Sequence, residues 1–150
     1  MFGSKIVSTI LYEHLSAITA VTDAMGDRII GLNAVPQGTT LPAVIFYPEF
    51  SAYSGPMGNR VGGAGDINFE QMRFVIRLIC KGMDTTPIDA AADAQLDHFD
   101  GLNVDVNVNG IMYYVTFTAQ GEIPLTSLLD GGTFYRQLGT VYGVEITRGG

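Results

Sequence analysis

Positive charge, thiols and long apolar runs are all scarce in this chain. Its 150 residues include 8 Lys or Arg against 15 Asp or Glu, a formal net charge of −7. A dedicated nucleic-acid binder draws its affinity from neutralising phosphates, so this balance argues against one. A single cysteine, Cys80, excludes an intramolecular disulfide and a Cys-rich zinc site. No segment reaches the roughly 18 uninterrupted apolar residues of a membrane span. Charged residues make up 15%, against about 25% in a typical soluble domain, while hydrophobic residues reach 47%. That composition excludes a disordered tail and points to an apolar surplus that a buried oligomer interface would absorb. The length fits a single domain over residues 1–150, long enough to bury about 68–70% of its unfolded surface without staples.

At the N-terminus, Lys5 precedes an apolar stretch from Ile6 to Tyr12, which Glu13 and His14 interrupt. This is at the short limit of a signal peptide's apolar core, and one charge is a poor n-region. The helix reading is favoured. Val7, Leu11, Leu15, Ile18 and Met25 fall near one stripe, so a helix is expected from about Ser4, its N-cap, to Ala24, with Gly26 as the stop. The chain is expected to be made in the cytoplasm and soluble there.

Arg28 to Val35 reads as a short extended segment, and Pro36-Gln37-Gly38-Thr39-Thr40 as a turn cluster. Ala43 to Tyr47 is a β-rich run ended by Pro48. Residues 51–66 hold Gly55, Pro56, Gly58, Gly62, Gly63 and Gly65, and read as a flexible Gly-rich loop or hairpin arm. Glu70 to Lys81 is the clearest strand. Met72, Phe74, Ile76, Leu78 and Cys80 alternate with Arg73, Val75, Arg77, Ile79 and Lys81, placing the even positions on a core. A second helix is expected to start at Thr86-Pro87, with Asp89 in its first turn, a stripe of Ile88, Ala92, Leu96 and Phe99, and Gly101 as its end.

Leu102 to Val108 alternates, and Asn109-Gly110 is the strongest short hairpin signal. A two-residue turn pairs Val108 with Ile111, Val106 with Tyr113 and Val104 with Val115, which puts every apolar side chain on one face. Glu122 to Gly132 reads as a connection, and Phe134 to Arg148 as the last strand, with Leu138, Tyr142, Val144 and Ile146 on one face. Two helices and five or six strands imply an α+β, two-layer sandwich with a mostly antiparallel sheet and both helices on one face. The other face, carrying Arg73, Val75, Arg77, Ile79, Lys81, Asp105, Met112, Tyr114 and Val141, would be solvated or covered by another chain.

Catalytic signals do not assemble. His98 lies beside Asp97 and Asp100 without the converging spacing that a metal needs, and both His14 and His98 read as polar helix positions. Cys80 on the apolar face reads as a buried, inert thiol. The Gly-rich segment fits neither a P-loop nor a dinucleotide fingerprint. Asp89, Asp93 and Asp97 recur every four residues as an acidic stripe, solvated or facing a partner. Arg73, Arg77 and Lys81 form a basic stripe, about 13 Å between neighbours at the rise of a strand. It is either the wet face of a half-covered strand or a contact for phosphates or an acidic neighbour, and the acidic stripe of an identical subunit is a candidate for that neighbour. No catalytic residue, cofactor or metal site is expected.

The order of elements, with Asp27-Arg28-Ile29-Ile30, then Ala34-Val35-Pro36-Gln37-Gly38-Thr39-Thr40-Leu41-Pro42-Ala43-Val44-Ile45-Phe46, and later Tyr135-Arg136-Gln137, resembles the tail-completion proteins of long-tailed bacteriophages, also called tail terminators or tail-to-head joining proteins. The resemblance implies a structural virion protein with no enzymatic activity. It implies a homo-oligomeric ring, commonly a hexamer, at the head-proximal end of the tail. Such a ring stops growth of the tail tube, meets the tail tube protein, and docks to head connector or neck proteins. DNA passes its lumen only as cargo, and no membrane is involved. The Gly-rich segment departs from the family pattern and would reach a neighbouring subunit or the tail tube, with Tyr53 and Arg60 as candidate anchors. Tyr135 and Arg136 are candidate interface residues from the C-terminal motif. Two alternatives stay open: a neck or head-completion protein on the portal side, and a small-ligand-binding α+β domain.

Overall fold

The computed structural model describes residues 2–49, 69–82, 84–130 and 132–149. Tyr53, Arg60 and the Gly-rich segment lie outside the described residues. The fold is α+β. Helices α1 (Phe2–Ala17) and α2 (Thr19–Met25) come first, then strands β1 (Ile29–Ile30), β2 (Ala43–Pro48) and β3 (Phe69–Lys81). Helix α3 (Thr86–Phe99) precedes β4 (Asn103–Val108), β5 (Ile111–Asp130) and β6 (Thr133–Arg148). One mixed, curled sheet has the order β1-β2-β3-β6-β5-β4. Only the β1–β2 pairing is parallel among the described strands.

The expected first helix is two helices. Ile18 is extended (φ −82°, ψ 114°), and its carbonyl accepts bonds from Val21 and Thr22 that start a new helix. The break falls at Ile18-Thr19, two β-branched residues that lose rotamer freedom in a helix. Ser4 is not the cap, because the helix already begins at Phe2. The buried carboxylate of Glu70 lies against Gly3 in that first turn, where the helix dipole favours an anion. Within the short extended segment expected from Arg28 to Val35, only Ile29–Ile30 is a strand.

Strand β3 follows its alternation. Met72, Phe74, Ile76, Leu78 and Cys80 join one core with Val7, Leu11, Leu15, Val21 and Met25 of the first two helices and Ile88 and Phe99 of α3. Helix α3 starts where expected, but its inward side is Ile88, Ala91, Gln95 and Phe99, with Ala92 and Leu96 on the flank. Asp84, not Thr85 or Thr86, caps it by accepting from the Thr86 amide at 2.9 Å and its hydroxyl at 2.6 Å. Those two bonds hold the Asp84 carboxyl below the usual carboxylate range.

The β4–β5 hairpin has the expected register, with Val108 opposite Ile111, Val106 opposite Tyr113 and Val104 opposite Val115. Both turn residues take positive φ, Asn109 at 52° and Gly110 at 83°. The stretch from Glu122 to Gly132 is not a connection. Strand β5 runs on to Asp130, which pairs with Thr133 of β6. Pro124 is tolerated because the β5–β6 ladder skips between Ile123 and Thr126, so no partner needs its missing N–H.

Candidate functional site

The face of the sheet turned away from the core is the most distinctive surface of the molecule. Cross-strand rows run Tyr47–Val75–Val141 and Ile45–Arg77–Gly139, and β3 and β6 further pair Ile79 with Gln137, Arg73 with Gly143 and Lys81 with Tyr135. Only part of this face is open to solvent or to a partner: Lys81, Asp105 and Tyr114 are exposed and Arg73 and Arg77 half-buried. Ala43, Ile45, Val75 and Ile79 are all buried within the chain itself. Part of the cover comes from the segment around Val35-Pro36-Gln37, which closes a groove over Ile45, Ile79 and Arg77.

Arg28 anchors that segment from beneath. Its Nε donates to the Pro42 carbonyl at 2.8 Å and its Nη2 to the Ala24 carbonyl at 3.4 Å, tying the end of α2 to the start of β2. The Arg28 carbonyl accepts from the Val44 amide at 3.1 Å. The Leu41–Pro42 bond is cis. The Asp27–Phe46 motif is thus an architectural unit, and its arginine is committed inside the chain.

The groove encloses about 520 Å³. Pro36, Gln37 and Leu41 line it together with Arg77, Tyr135 and Gln137. Its lining offers amides, a hydroxyl, a phenol and one guanidinium, with no carboxylate, thiol or imidazole among the described residues. Such a set binds and orients, and supplies no acid–base pair at neutral pH.

Two arginines dominate the face. Arg77 stacks over the Tyr47 ring, its guanidinium carbon 5.7 Å from the ring centroid. Arg73 lies 3.9 Å from the Glu49 carboxylate, a long ion pair with both side chains partly exposed. The Nε atoms of both arginines are out of water with no hydrogen-bond acceptor among the described residues. On β6 a glycine sits opposite each arginine, Gly143 opposite Arg73 and Gly139 opposite Arg77. Gly139 and Gly143 leave space that Ile123 and Gln120 of β5 enter.

The remaining expected site residues divide by layer. Lys81 is exposed at the end of the basic row, and Asp89, Asp93 and Asp97 are exposed along α3. The chain does not bring the two rows together, since one lies on the sheet's outer face and the other on the helical side. Tyr135 joins the groove, whereas Arg136 pairs with Cys80 in the ladder and lies on the opposite face from Tyr135. Its Nε is also buried without an acceptor among the described residues. Cys80 is buried as expected, and burial pushes its thiol pKa up.

The two histidines are not separate polar positions. His14 Nδ1 and His98 Nε2 are 2.7 Å apart, bridging α1 and α3, and the His98 ring meets Phe99 edge-on. Burial, and then the charge of His14, push His98 below the usual histidine range. No group of three or more metal-ligating side chains occurs among the described residues. Among those residues, no helix is long and apolar enough to cross a membrane. No family model matches the chain, and no curated protein matches its sequence.

Proposed function

We propose that this chain is a structural virion protein, a ring subunit at the head-proximal end of a phage tail. In this reading it ends tail-tube growth and joins the tube to the head connector, with no catalytic residue and no cofactor. The subunit is a two-layer α+β sandwich whose helices cover one face and whose outer face meets other chains. One observation carries the reading. The two stretches that hold the resemblance, 27–46 and 135–137, are far apart in sequence and both contribute to the lining of one groove on the outer face. A shared groove is what a docking surface requires, and its lining lacks the converging acid and base of a hydrolytic site.

The test is the mass of the purified protein by light scattering after size exclusion, at several concentrations and with tail tubes added. A ring of about six subunits, or a ring that forms only on the tubes, supports the proposal. A strict monomer in both conditions overturns it. The volume of the groove favours a second reading, a small-ligand site, since such sites span about 300–1,000 Å³. A strict monomer whose thermal midpoint rises with a small anion that reaches Arg77 would establish that reading instead.

A further inference from the structure

We propose that neighbouring copies meet by seating the acidic side of α3 of one copy on the Arg73–Arg77 row of the next. This rests on the ring reading and names the two surfaces that form its interface.

The arginine row is electrostatically unfinished. The carboxylate nearest Arg73 is Glu49, at 3.9 Å, and Arg77 lies on an aromatic ring with no ion pair among the described residues. Each has an Nε that has lost water and gained no acceptor among the described residues. Buried polar groups are normally paired, and a carboxylate is the acceptor that suits a guanidinium best. A partner bearing carboxylates at the right spacing would complete both.

The same chain carries that spacing. Asp89, Asp93 and Asp97 are exposed one turn apart, while Ile88, Ala91, Gln95 and Phe99 hold the other side of α3 in the core. None of the three aspartates has an ion-pair partner among the described residues. Asp89 and Asp97 are about 12 Å apart at the helical rise. Arg73 and Arg77 are about 13 Å apart at the strand rise. The two rows therefore match at two points, with Asp93 between them, and Lys81 extends the attraction past the end of the row.

Geometry then decides the mode. The rows lie on opposite sides of one molecule, so they cannot meet within a chain. Two arginine rows repel each other, as do two aspartate rows, which disfavours a two-fold dimer through either patch. The contact is heterologous, and such contacts close into rings when the rotation between copies divides a full turn.

Two variants test it: Arg73→Glu with Arg77→Glu, and Asp89→Arg with Asp97→Arg. Each alone should associate at least tenfold more weakly than wild type. An equimolar mixture should regain the wild-type mass, because every junction in an alternating ring is then complementary. All four substitutions in one chain should restore self-association as well. The aspartates are fully on the surface, so their variant carries the test if the arginine variant misfolds. Wild-type mass retained by either folded variant alone overturns the pairing while the ring reading stands. Folded variants that stay monomeric in the mixture do the same. A wild-type chain that gains mass only with tail-tube protein, sensitive to the arginines but not the aspartates, would assign the arginine row to the tube and overturn the copy-to-copy contact. A wild-type chain that never associates overturns both proposals.

Discussion

At Gly139 the sheet has no room for a methyl group. A Cβ there would lie 2.5 Å from the Ile76 carbonyl oxygen and 2.8 Å from Ile123 Cδ1, and the oxygen belongs to backbone that cannot yield. Gly139→Ala should cost roughly 2 kcal/mol by overpacking, read from the urea midpoint. Gly121→Ala, where nothing lies within 4 Å, should change stability by no more than about 0.5 kcal/mol. A second single-residue dependence sits under α3. Gln95 Nε2 donates to Thr140 Oγ1 at 3.0 Å, and its Oε1 accepts from the Tyr142 hydroxyl at 2.8 Å, all in the core. Gln95→Leu strands both hydroxyls and should destabilise by roughly 2 kcal/mol or more, whereas adding Thr140→Val and Tyr142→Phe should recover most of the loss. Hydropathy alone steers the reader past Gln95, because a polar residue at the centre of an apolar stripe shifts the apparent stripe to Ala92 and Leu96. The hydrogen bonds that make it a core residue come from β6, which local sequence does not reveal. Cys80, by contrast, was legible because its strand alternates without interruption.

Elements were legible wherever two signals agreed. In the β4–β5 hairpin the alternation and the Asn109-Gly110 turn give one register, and the turn needs positive φ at both residues. Gly110→Ala should cost about 1 kcal/mol, measured by thermal unfolding, since φ at this position is strained for any side chain. The second half of β5 was illegible because Gly121 and Pro124 look like punctuation. The ladder absorbs them at irregularities between Ala119 and Gly121 and between Ile123 and Thr126. The break at Ile18 gave no warning either, since neither glycine nor proline marks it. The contact between α1 and α3 also carries a pH dependence, at His98. The folded state holds His98 below its unfolded value of 6.5, so it stabilises fully above that value and loses this contribution as pH falls through the lower folded value. Between about pH 7.5 and 5 the urea midpoint should fall further for wild type than for His98→Gln.

For the whole molecule, sheet order is the feature that sequence hides most completely. Strand β6 lies between β3 and β5, so the ladder along the whole of β3 joins it to a segment far away along the chain. The outer face shows the same limit, because alternation marks Val75 and Ile79 as turned from the core without revealing that the chain buries them anyway. The topology sets a graded resistance to opening. Strand β3 is laddered to β6 along its whole length and to β2 over Phe74–Ile79, whereas β4 pairs with β5 only as far as Thr116. Hydrogen exchange followed by mass spectrometry should find the amides of Phe74 to Ile79 slowest, with faster exchange along β5 beyond Gln120, where no strand lies on its outer edge among the described residues. The lone thiol has a practical consequence at this scale. Cys80 is sequestered and its pKa is raised, so a maleimide or disulfide reagent meets an almost inert native surface. Any cysteine introduced at a chosen address becomes the single reactive tag on the molecule, open to a fluorophore, a spin label or a cross-linker without first removing the native one.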